Sequence, residues 1–269
     1  MYSLLIISHL KKKNPLSFGQ TGENVSLIPV TFDHFKIQAC SKMACLVSCT
    51  LCLVPYLRRM SDAKVVAEKL LQVNAVKLNP ENPYTWASGW KSPIYCDNRK
   101  VLSFPFIRDY IKSELCNVVF EKFPDAGILA GVATAGIAWG AMVADQLKLP
   151  YVYVRPKPKE HGLGNQIEGF YEAGQRVVVI EDLVSTGKSS LQVVDVLKEA
   201  GLEITGMVSI FTYGFPIAAE MFARSGITYY PLTDYATLIA LAAEKGIISS
   251  NQMEVLLKWR DDPAGWKGL

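Results

Sequence analysis

Residues 176–180 read Arg-Val-Val-Val-Ile. Four consecutive β-branched residues leave no polar face, so the segment predicts a strand buried on both sides, as in a parallel sheet covered by helices. The rhythm around it agrees. Helices are expected over 64–73, 106–123, 137–147, 188–200, 217–223, 234–244 and 250–258. Strands are expected over 127–130, 151–154, 176–180, 203–211 and 227–230. Residues 79–99 and 155–174 read as loops, the first rich in proline and aromatics, the second in charge and glycine. Alternating strands and helices predict an α/β fold with a central parallel sheet flanked by helices. Ligands bind such sheets beyond the carboxyl ends of the strands. The loops beginning at Gly131, Arg155 and Glu181 all follow strands and are expected to meet at one edge.

The first 59 residues do not share this rhythm. They hold four of the six cysteines (Cys40, Cys45, Cys49 and Cys52), with seven basic residues against two acidic ones, a net charge of +5. Residues 60–269 carry the complementary −2, so the overall +3 belongs to the first segment alone. The body is therefore not expected to bind a long polyanion such as a nucleic acid, and any anion site must be local. The uncharged run 43–57 is 15 residues long, too short for a membrane helix and interrupted by Pro55, so no membrane partner is expected. The cysteine spacing matches no standard zinc pattern. We expect residues 1–59 to be a non-globular extension, an over-long start packing loosely on a domain spanning 60–269. Met60 would then be the true beginning, and Ser61 or Asp62 the cap of the first helix.

The chemistry concentrates in three loops. The buried strand runs into two carboxylates, Glu181 and Asp182, then Leu183, Val184, Ser185, Thr186, Gly187, Lys188 and Ser189, where a helix begins. Hydroxyls and backbone N–H groups at a helix start form a phosphate cradle. Two carboxylates just before it make sense for a ligand that also offers hydroxyls and a developing positive charge, such as a sugar phosphate reacting through a cationic carbon. Gly187-Lys-Ser also suggests a nucleotide-triphosphate P-loop, but that motif needs a glycine where Asp182 stands. In the second loop Arg155, Lys157, Lys159 and His161 alternate with other residues, and Gly162, Gly164 and Gly169 follow. This suits a mobile cationic arm closing over a diphosphate and excluding water. The third is Tyr84-Thr-Trp-Ala-Ser-Gly-Trp-Lys-Ser-Pro-Ile-Tyr-Cys-Asp-Asn-Arg99, a loop with aromatics able to stack.

Residues 177–189 resemble the 5-phosphoribosyl-1-diphosphate (PRPP) motif of type I phosphoribosyltransferases: four apolar residues, two acidic ones, then hydroxyls around Thr-Gly. Residues 153–162 look like the catalytic loop of orotate phosphoribosyltransferases. Residues 88–93 resemble their Ser-Gly-x-Lys-Ser-Pro signature. The three motifs occur in family order and span most of 60–269. The chain departs from one branch of the family at Ala87, at Arg155-Pro156 and in Phe211-Thr-Tyr-Gly214. It is closer to the branch with Tyr-Val-Arg-x-Lys-x-Lys and Glu-Asp-Leu-x-Ser-Thr-Gly.

The resemblance implies a type I phosphoribosyltransferase fold with a small N-terminal base-binding hood. The implied reaction is transfer of the phosphoribosyl group of PRPP to orotate, giving orotidine 5′-phosphate and diphosphate in pyrimidine biosynthesis. It implies catalytic roles for Lys159, His161 and Asp182, and PRPP contacts from Arg155, Lys157, Lys159, His161 and residues 181–189. Ser185 and the backbone near Tyr95 and Cys96 are the candidates for holding orotate. Magnesium is expected on PRPP itself, with no metal site built by the protein. A cytoplasmic homodimer with active sites shared across its interface is also implied. The alternatives are transfer to another base, which residues 84–99 would decide, and a PRPP-sensing regulator on the same fold. Cys96 and Cys116 are expected to be reduced thiols.

Overall fold

A computed structural model describes residues 62–86, 88–157 and 166–268. The proposed extension, Lys159 and His161 lie outside the described residues. The chain opens with α1 (Ala63–Gln72), β1 (Val76–Leu78), β2 (Tyr84–Thr85), β3 (Lys91–Ser92) and β4 (Ile94–Cys96). A 3-10 turn (Asn98–Ser103), α2 (Pro105–Lys122), β5 (Ile128–Val132), α3 (Gly136–Leu147), β6 (Tyr151–Val154) and β7 (Ile167–Glu168) follow. Then come β8 (Arg176–Val184), α4 (Lys188–Glu199), β9 (Glu203–Thr212), α5 (Pro216–Ser225), β10 (Tyr229–Asp234), α6 (Tyr235–Glu244) and α7 (Ser250–Asp261). Of the two capping candidates for α1, Asp62 does the work, its carboxylate accepting the Lys64 N–H at 3.0 Å.

The main sheet has the order β10-β9-β8-β5-β6-β7. Its pairs are parallel except β6–β7, which is antiparallel. The valine run behaves as its composition requires. Val178 and Ile180 enter one buried cluster with α1, α2, α3, α6 and α7, whereas Val177 and Val179 enter another with α4 and α5. Successive residues of a strand point to opposite faces, so a run apolar at every position is what two covered faces demand.

Several expectations need correction. The strand starting at Arg176 does not stop at Ile180 but continues through the acidic pair to Val184. The stretch from 155 to 174 is not wholly loop, because β7 pairs with β6. The strand expected at 227–230 runs instead from Tyr229 to Asp234. Its Pro231 is tolerated because β10 is an edge strand. The stretch 79–99 contains β2, β3 and β4. β1 pairs with β4 and β2 with β3, in antiparallel ladders of three and two residues. Ladders this short leave no readable periodicity. Together they form the small N-terminal hood.

Candidate functional site

β6, β5 and β8 are parallel neighbours, so their carboxyl ends share one edge, where Arg155, the Ala133–Ala135 loop and the Ser185–Gly187 turn all emerge; the loop expected from Gly131 begins two residues later, because Gly131 and Val132 still pair within β5. The expected convergence of three loops is therefore observed. Two helices begin at this edge. α4 starts after Gly187 and α3 after Ala135, and neither has a side-chain cap on its first turn. Uncapped N–H groups at a helix start attract anions. Gly187 has φ +81°, a left-handed conformation that favours glycine, and a Cβ there would press on the Phe222 ring at 3.0 Å.

Glu181 is buried at 5% exposure. One carboxylate oxygen accepts the Asp182 N–H at 3.0 Å, and the other accepts the Ser190 hydroxyl at 3.0 Å. Burial first, and the neighbouring Asp182 second, push the Glu181 carboxyl well above the ordinary glutamate range. Burial also raises Asp182, opposed by its hydrogen bonds and by the charge of Arg99. Such a pair resists carrying two negative charges until a positive partner arrives. Asn98, fully buried, donates to the Asp182 carbonyl at 2.7 Å and accepts from the Cys96 thiol at 3.4 Å. It ties the hood to the acidic turn.

Beside the turn lies a cavity of about 440 Å³ lined by Thr85, Trp86, Tyr95, Cys96, Leu183, Ser185 and Tyr213. Its wall is aromatic. The Trp86 and Tyr213 rings lie 5.0 Å apart, and Trp259 of α7 meets Trp86 edge-on at 5.6 Å from behind. The Trp86 indole is anchored on the Ile94 carbonyl. Rings arranged this way offer stacking faces to a flat heterocycle. Burial pushes both the Cys96 thiol and the Tyr213 phenol well up, so both stay neutral.

Tyr95, Cys96 and Ser185, proposed from sequence for the base, line this one cavity. Leu183 joins it, and Val184 points into the core while its carbonyl accepts the Tyr213 N–H at 3.1 Å. Lys188 and Ser189 are exposed on the first turn of α4. Arg155 is not a free cation, since its guanidinium stands 3.5 Å from Glu168 on β7, and Lys157 is exposed. Sequence reasoning gave no individual role to Ser190, Asn98, Thr85, Trp86 or Tyr213, although Thr85, Trp86 and Asn98 lie in the 84–99 segment with its stacking aromatics and Tyr213 in the 211–214 stretch. The hydroxyl of Ser190 stands one residue past the phosphate motif. Which of these residues meet is set by contacts distant along the chain.

Among the described residues no group of three or more His, Cys, Asp or Glu is placed to hold a metal. Both Glu181 oxygens are already engaged, which leaves Asp182 as the oxygen donor beside the turn. This donor set fits a magnesium ion that arrives with a phosphorylated ligand and takes most of its oxygens from it. No described helix is long and apolar enough to cross a membrane.

Residues 107–219 match the phosphoribosyl transferase domain family. The chain is 52% identical over 204 residues to an orotate phosphoribosyltransferase of Phocaeicola vulgatus, covering 76% of this chain and 96% of that protein. Among solved structures, the orotate phosphoribosyltransferase of Aeropyrum pernix is similar at TM-score 0.60 and 29% identity, covering 68% of this chain and 99% of that one. UMP synthase of Leishmania donovani is similar at TM-score 0.64 and 25% identity, over 76% of this chain, which spans 43% of that longer protein. An identity of one residue in two across nearly the whole length of a relative, on a chain whose aromatic cavity adjoins the turn before α4, leaves one conclusion: this chain belongs to the orotate phosphoribosyltransferase family.

Proposed function

We propose that the protein transfers the 5-phosphoribosyl group of PRPP to orotate, giving orotidine 5′-phosphate and diphosphate, a step of pyrimidine biosynthesis. The observation that carries this reading is the adjacency of the two half-sites. Leu183 at the end of β8 and Ser185 in the turn directly after it both line the wall of the aromatic cavity. A base in that cavity therefore sits next to whatever sugar the turn holds. Catalysis is positioning plus stabilisation of developing charge.

The 5′-phosphate takes the N–H groups of residues 185–189 and the hydroxyls of Ser185 and Thr186. Glu181 and Asp182 receive the ribose hydroxyls and face the anomeric carbon as its bond to diphosphate breaks and its bond to the base nitrogen forms. Their resistance to double ionisation is relieved as positive charge grows on the sugar. The start of α3 and the Ala133–Ala135 loop receive the diphosphate. Arg155, Lys157, Lys159 and His161 close over it, with Lys159 or His161 supplying a proton to the leaving group. Magnesium, when bound with PRPP, offsets the diphosphate charge.

The enzymatic unit in this reading is residues 60–269 with residues 1–59 as an extension, working as a cytoplasmic homodimer whose arms cross between subunits. The length of the relatives supports the first part, since about 204 residues span 96% of one of them. The test is loss of orotate absorbance on adding PRPP and magnesium. Turnover is expected with orotate and not with adenine or uracil, and no orotate loss overturns the proposal. In the same assay, mixing inactive Lys159→Ala and Asp182→Asn proteins restores part of the turnover if the arms cross, and none if they do not.

A further inference from the structure

None of the seven side chains lining the aromatic cavity, Thr85, Trp86, Tyr95, Cys96, Leu183, Ser185 and Tyr213, is an Asp, Glu, Lys, Arg or His. The base assigned to that cavity is a carboxylate. Neutral hydroxyls and stacked rings give a carboxylate no counter-charge, and without one the desolvated anion is held poorly.

The hood supplies one at the cavity edge. β2 and β3 pair antiparallel with Thr85 directly opposite Lys91, and Tyr84 opposite Ser92. Directly opposed residues project from the same face of a ribbon. The two faces separate cleanly here. Thr85 lines the aromatic cavity, whereas its strand neighbour Tyr84 lines a different one, on the far side. Lys91 therefore shares the cavity-side face with Thr85. Its ammonium donates to the Thr85 hydroxyl oxygen at 2.8 Å. No carboxylate among the described residues pairs with it, in contrast to Arg99, which is held by Asp97 at 2.7 Å. Its main chain is fixed from behind, because the buried indole of Trp259 donates to the Lys91 carbonyl at 3.0 Å. The backbone of Lys91 is thus anchored while its ammonium, on a flexible stem, retains two donors for an incoming anion.

We infer that Lys91 is the specificity residue for the acidic base, its ammonium pairing with the carboxylate of orotate at the mouth of the cavity and Thr85 holding it there. The inference rests on the reading of the cavity as the orotate site. It makes Lys91 a substrate-binding residue with no part in holding PRPP.

The test is steady-state kinetics of the full-length protein against Lys91→Met, which keeps the apolar stem and removes the charge at an exposed position. The KM for orotate is expected to rise about 10- to 100-fold, the range of a lost charge-assisted hydrogen bond. The KM for PRPP stays within about twofold. Lys91→Arg restores most of the orotate affinity, and Thr85→Val produces a smaller rise in orotate KM than Lys91→Met. An unchanged orotate KM in Lys91→Met, or an equal rise for orotate and PRPP, overturns the assignment while the parent still turns orotate over. A parent protein that does not consume orotate at all instead removes the functional reading beneath it.

Discussion

Glu181 is held in place at an electrostatic cost. Its carboxyl is buried, accepts two hydrogen bonds and still lies well above the ordinary glutamate range, because burial and the adjoining Asp182 outweigh what Ser190 and the Asp182 N–H return. A raised carboxyl means that the folded protein binds this proton more tightly than the unfolded chain does. The associated stability is present below the ordinary glutamate range, about pH 4, and is lost as pH rises toward the folded value. Glu181→Gln stays neutral throughout. Its amide can keep both contacts by accepting the Asp182 N–H and donating to Ser190. The variant is expected to melt above the parent at pH 8, with the gap closing toward pH 4, while losing most of its turnover. Thermal melts at the two pH values check this. A variant that melts below the parent at pH 8 contradicts the account of the pair.

At the scale of elements, the site depends on how closely β5, β6 and α3 approach one another. A Cβ on Gly131 would collide with the Tyr151 hydroxyl and stand 2.8 Å from the Gly136 carbonyl, closer than real Cβ atoms come. The Tyr151 hydroxyl is itself committed to the Ile137 carbonyl at 2.8 Å. Gly131→Ala is therefore expected to cost about 1–3 kcal/mol by overpacking and to weaken PRPP use by displacing the loop that receives diphosphate. Adding Tyr151→Phe returns part of the stability by removing one of the two clashes. Equilibrium denaturation of the single and double variants measures both effects, and an unshifted midpoint in Gly131→Ala contradicts the packing argument. Sequence placed Gly131 in a loop, whereas it lies within β5; the apolar start of β8 and the main helices were legible, because long periodic or uniformly apolar segments carry strong signals. β1 to β4 were not, because ladders of two or three residues hold together through tertiary contacts rather than local pattern. Asn98 was also hidden. Its role is a hydrogen bond to Asp182, 84 residues away, and no local spacing encodes that.

Across residues 62–268, the two halves of the proposed site draw on segments far apart in the chain. The phosphate turn belongs to the central sheet. The base cavity is walled by the hood at the N-terminal side, by Tyr213 after β9, and from behind by Trp259 of the last helix, which packs on both Trp86 and Tyr213. The loops that follow β5, β6 and β8 meet at one sheet edge because neighbouring parallel strands bring their carboxyl ends together. What sequence could not supply was the closure of the cavity by α7, since a tryptophan in a short terminal helix reads as ordinary core. The central claim is that turn and cavity form one continuous site for a nucleotide whose phosphate and base occupy the two halves. Diffraction from crystals grown with orotidine 5′-phosphate tests it most directly. The account predicts phosphate on residues 185–189, ribose against Glu181 and Asp182, and the pyrimidine in the cavity walled by Trp86, Tyr95 and Tyr213. Phosphate bound away from this turn, or a base outside the aromatic cavity, would contradict it.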